Sequence, residues 1–127
     1  MKLNIFLISK AIISWAFGLA FVIIPTIAAP LFGIQLDPFG ALMARWSGAA
    51  LLGIGLICLF TAKAADTKLQ QGIILSLFVA DTVGFIIALV GQLSGLMNAL
   101  GWVIVAVWII LALGLGYFRF LCKGPSK

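Results

Sequence analysis

The chain has 127 residues, of which 65% are hydrophobic and 9% charged, against about 45–50% and about 25% in soluble domains. A soluble core of this size cannot hide that much apolar surface, and four spans of about 20 residues each leave no room between them for an extramembrane domain. The net charge of +5 is spread over single Lys and Arg residues at the ends of apolar runs, which argues against nucleic acid and for contact with membrane lipid headgroups.

Helices that cross lipid satisfy their backbone groups internally. The alternating polar face of a barrel is missing. The expected fold is therefore an all-α membrane protein, a four-transmembrane-helix bundle forming one domain over residues 1–127, with spans near 8–29, 41–62, 69–91 and 97–121.

Along the chain, Lys2 and Lys10 flank a short apolar run that continues to Ala29. Lys10 is expected to reach the inner surface with its long stem. Pro25 lies inside this first span and is expected to kink its last turns without ending it, because neighbouring helices absorb the lost hydrogen bond. The basic start, the apolar stretch and the small residues Ala28 and Ala29 also fit a cleavable signal peptide; the length of the run and Pro30 just after the cut weigh against that alternative.

Pro30, Gly33, Asp37, Pro38 and Gly40 punctuate the first loop. The second span carries Arg45 near its start and stops at the polar stretch from Lys63 to Lys68. The third contains Asp81, and Gln92, Ser94, Gly95 and Asn98 supply an uncharged turn. The fourth exits at Arg119, Lys123 and Lys127, beside the breakers Gly124 and Pro125. Seven of the eight basic residues thus fall on one face and Arg45 alone on the other. Positive residues in short loops stay inside, so both termini and the middle loop are expected in the cytoplasm.

The stretch from Asp37 to Gly40, the run from Met43 through Arg45, Trp46 and Gly48 to Gly53 and Gly55, and Leu96 to Trp102 resemble small uncharacterised four-helix membrane proteins of bacteria. The resemblance covers most of the chain and implies a bacterial inner-membrane protein with four spans. It implies no activity.

In lipid, helices approach closely through small residues and a few polar contacts. Ser76, Ala80, Gly84 and Ala88 recur at four-residue spacing in the third span, and the second offers Ala49 and Gly53 beside Gly48 and Gly55. Packing within the bundle explains these stripes; a dimer face or a cavity wall is the functional alternative, so a homo-oligomer stays open. Trp15, Trp46, Trp102 and Tyr117 fall near span ends, where aromatic rings favour the headgroup layer. Trp108 lies deeper, where its ring nitrogen needs a partner within the bundle or the ring meets lipid.

Two intramembrane charges, Arg45 and Asp81, need an explanation, since a charge near the bilayer centre costs at least about 2.5–3.5 kcal/mol. Direct pairing would neutralise both. Against it, Asp81 stands about 15 Å and Arg45 about 7 Å below the same membrane edge, and their side chains lean in opposite directions. Otherwise Arg45 reaches outward to Asp37, Gln35 or a lipid phosphate, and Asp81 is a neutral, hydrogen-bonded clasp or a proton-coupled carboxylate.

Catalysis is disfavoured: there is no histidine, and Asp37, Asp66 and Asp81 lie at different depths with no nucleophile beside a base. No cofactor motif is present. Cys58 and Cys122 lack a metal or redox spacing and read as free thiols. The leading expectation is a non-enzymatic structural, accessory or hydrophobic-ligand-interacting membrane protein. The alternative is an oligomeric proton-coupled small-molecule transporter using Asp81, whose architecture resembles small multidrug exporters, although those carry their acid in the first helix.

Overall fold

A computed structural model describes residues 2–121, so Cys122, Lys123, Gly124, Pro125 and Lys127 lie outside the described residues. All regular structure among the described residues is helical. Four helices are long and apolar enough to cross a membrane: Leu3–Ile23, Pro38–Ala62, Thr67–Leu93 and Gly101–Leu121. They comprise α1 (Leu3–Ile23), α3 (Pro38–Ala62), α4 (Thr67–Leu93) and α5 (Gly101–Gly116), the last continuing into a π-helical turn at Tyr117–Leu121. A short α2 (Pro25–Ala28) and a 3₁₀ turn at Ala29–Phe32 follow α1.

Local chemistry sets the boundaries. The Asp37 carboxylate accepts the Gly40 N–H at 2.6 Å, and Pro38 follows it where its fixed φ suits a first turn, so α3 starts there. Asp66 caps α4 in the same way, through the Leu69 N–H at 3.1 Å. Gly33 turns the chain with φ +81°, which a side chain would disfavour. Three expected boundaries move, the first being the start of α1, at Leu3 rather than 8. Pro25 breaks α1 rather than bending it: Ile24 leaves helical geometry at φ −132°, ψ 53°, and the helix restarts at Pro25. The fourth span begins at Gly101 rather than 97, because Asn98 holds a turn there by accepting the Leu100 N–H at 3.0 Å.

Consecutive long helices alternate in direction and form two hairpins, α1 with α3 and α4 with α5, each in close backbone contact. In the first hairpin Gly18 and Gly48 face each other. A Cβ on Gly48 would stand 2.7 Å from the Gly18 carbonyl oxygen, so only glycine permits this approach. About one turn earlier in α1 and two turns later in α3, the Trp15 ring fills the space above Gly55 and donates through Nε1 to the Leu52 carbonyl at 3.2 Å. Trp15 is thus a packing residue of the hairpin rather than an anchor at a span end. In the second hairpin the Trp108 ring lies on Gly84 and Phe78 lies against Gly116.

The third-span stripe has a different phase from the expected one. Ile74, Leu77, Asp81 and Ala88 are buried, whereas Ser76 and Ala80 are exposed and Ser76 donates to the Gly72 carbonyl behind it. Gly53 likewise has no atom within 4 Å of its Cβ position. Ala80 and Gly53 therefore do not pack between helices, while Gly48, Gly84 and Ala88 lie at inter-helix or buried positions.

The hairpins meet at the end bearing the α1 start and the 63–66 turn, called here the basic end. Leu3, Leu7, Cys58, Ile74 and Leu115 form its core, and the rings of Phe6 and Phe118 stand 5.6 Å apart across it. At the opposite end Asn98 ties the hairpins together. Its backbone N–H donates to the Phe32 carbonyl at 2.8 Å and its side-chain amide to the Leu31 carbonyl at 3.0 Å.

Candidate functional site: a buried ion pair beneath an apolar cavity

Asp81 is buried midway along α4, and its partner is Lys10 of α1. The Lys10 Nζ donates to both carboxylate oxygens, at 2.9 and 3.1 Å, and both side chains are 4% exposed. Lys10 therefore does not reach the inner surface, and Arg45 does not meet Asp81. Helix direction explains the choice. Side chains lean toward the N-terminus of their own helix; α1 and α4 run the same way, so Lys10 and Asp81 lean in the same direction and their lean does not part them. The α3 helix runs the opposite way, and Arg45 leans away.

Arg45 instead donates to the Val22 carbonyl at 2.9 Å. The break at Ile24 and Pro25 leaves carbonyls of the last α1 turn without intrahelical donors, and the guanidinium fills one of these vacancies from an exposed position. Asp37, an expected partner for Arg45, is occupied as the α3 cap.

No protein-family model, curated protein or solved structure matches this chain. The site must be read from its own chemistry.

On the side of Lys10 away from the basic end, the hairpins part. A partly open cavity of about 150 Å³ lies between them, walled by Phe17, Phe21 and Leu51 of the first hairpin and Val107 and Trp108 of the second, with Lys10 and Ser14 as its polar lining. Lys10, Ser14, Phe17 and Phe21 fall at spacings of four, three and four residues, one face of α1. Asp81 stands behind Lys10 and is not part of the wall.

Among the described residues no group of three or more metal-ligating side chains occurs, and the free thiol Cys58 is packed in the core at the basic end. Sequence reasoning singled out Asp81 correctly as a charge in need of a partner. It missed Lys10 in that role and missed Ser14 altogether. The apolar α1 face ending in a lysine was the available signal.

Proposed function

We propose that this chain is a non-enzymatic protein of the bacterial inner membrane, crossing the bilayer four times with both termini and the 63–66 turn in the cytoplasm, and that it receives a small hydrophobic molecule between its two hairpins. The observation that carries this reading is the aromatic-walled cavity, which draws lining residues from both hairpins and has an ion pair at its floor. Apolar concavities with a few convergent polar groups are the usual form of a small-molecule site. Orientation rests on charge: with Lys10 withdrawn into the bundle, six of the remaining seven basic residues still belong to one side. A proton-coupled transporter built on Asp81 draws less support, because Lys10 occupies both carboxylate oxygens and separates them from the cavity.

The test is a fluorine NMR titration of 4-fluoroethylbenzene against the purified protein in detergent. The expected result is saturable binding beyond partition into empty micelles, abolished by Val107→Phe, which fills the cavity. Binding no greater than micellar partition, or unchanged in the filled variant, contradicts the reading.

A further inference from the structure

Resting on the reading of the cavity as a hydrophobic-ligand site, the polar groups on its wall define the ligand's chemistry. Ser14 is 4% exposed. Ser9 and Ser76 turn their hydroxyls back onto the carbonyls four residues earlier, but the Ser14 hydroxyl has no hydrogen-bond partner among the described residues. It lines the cavity one helical turn from Lys10. That hydroxyl faces the cavity and can still donate, so its position favours any occupant that supplies an acceptor. The Lys10 ammonium has three N–H donors. Two are directed at Asp81, which leaves one more donor near the same space.

Charge narrows the class. Lys10 and Asp81 together are neutral, and a further carboxylate or ammonium brought beside them would be an uncompensated charge in a low-dielectric setting. Size narrows it again, since an apolar cavity of about 150 Å³ holds a molecule of about the size of benzene. We propose that the cavity binds a neutral, ring-sized apolar molecule carrying a carbonyl-type acceptor, received by the Ser14 hydroxyl and the free N–H of Lys10. The aromatic walls take the ring, and the partly open side leaves a path for a substituent.

Three probes of one shape decide this: 4-fluoroacetophenone, 4-fluoroethylbenzene and 4-fluorobenzoate, each titrated by fluorine NMR against the parent and Ser14→Ala. Removing this hydroxyl leaves the ion pair intact, and unfolding of the variant in the same detergent checks that the fold is kept. The ketone is expected to bind about tenfold tighter than the hydrocarbon, the worth of one or two hydrogen bonds, and to lose most of that margin in Ser14→Ala while the hydrocarbon is unaffected. The benzoate is expected to show no saturable binding. Equal affinity for ketone and hydrocarbon, an unchanged margin in Ser14→Ala, or tight benzoate binding overturns the assignment while leaving the cavity reading in place. Failure of both neutral probes overturns the two together.

Discussion

The two ends of the bundle are built from the same four helices and pack differently. At the basic end Leu3, Leu7, Ile74 and Leu115 are wholly buried, and the rings of Phe6 and Phe118, 5.6 Å between centroids, face each other across the seam between the hairpins. Beyond Lys10 the first hairpin stays tight through Gly18 and Gly48, yet the hairpins separate around a cavity and are rejoined at Asn98. The ion pair marks the boundary. Small residues hold helices together within a hairpin, whereas buried polar contacts and core side chains hold one hairpin against the other. Where both are missing, a gap remains.

The sharpest way to break this comparison is to strand one charge at the boundary. Lys10→Met or Asp81→Leu leaves an unpaired buried charge and is expected to destabilise by about 3–5 kcal/mol, read from unfolding of the purified protein in detergent. The next effect contrasts the ends directly. Leu115→Ala opens a void in the closed core and is expected to cost about 2–5 kcal/mol. Leu51→Ala only enlarges an existing cavity and is expected to cost less than half as much. Equal losses would mean that the ends are packed alike. The smallest effect belongs to Arg45→Gln, which removes one exposed hydrogen bond to the Val22 carbonyl and is expected to cost about 1 kcal/mol, adding to the effect of an Asp81 substitution because the two sites share no partner.

Much of the fold was legible because four long apolar runs separated by charged or glycine-rich turns admit few other arrangements. Whether Pro25 would bend or break α1 was not legible, since lipid-embedded helices tolerate proline either way and the outcome depends on Arg45 arriving from α3 to satisfy Val22. The small-residue stripe of α4 was read from spacing alone, and spacing fixes a period without fixing which face turns inward. Asp81 itself held the phase, and Leu77, Gly84 and Ala88 share its side of the helix, whereas Ala80 and Ser76 do not. Lys10 was misread because its closeness to the start of the chain resembles a membrane flank. The lean that argues against Arg45 as the partner of Asp81 raises no such objection to a lysine on a helix running parallel to α4. Ser14 carried no signal in isolation, since a single serine in a span is ordinary until its missing partner and its neighbours are seen in three dimensions.

The clasp between the hairpins is tested most directly by a double-mutant cycle on Lys10 and Asp81, with unfolding of Lys10→Met, Asp81→Leu and the double variant measured in one detergent. A neutral apolar pair leaves no stranded charge, so the double variant is expected to recover most of the loss seen in each single one, giving a coupling of at least about 2 kcal/mol. Additive losses from Lys10 and Asp81, with strong coupling appearing instead between Arg45 and Asp81, would contradict the pairing on which the two-hairpin description depends.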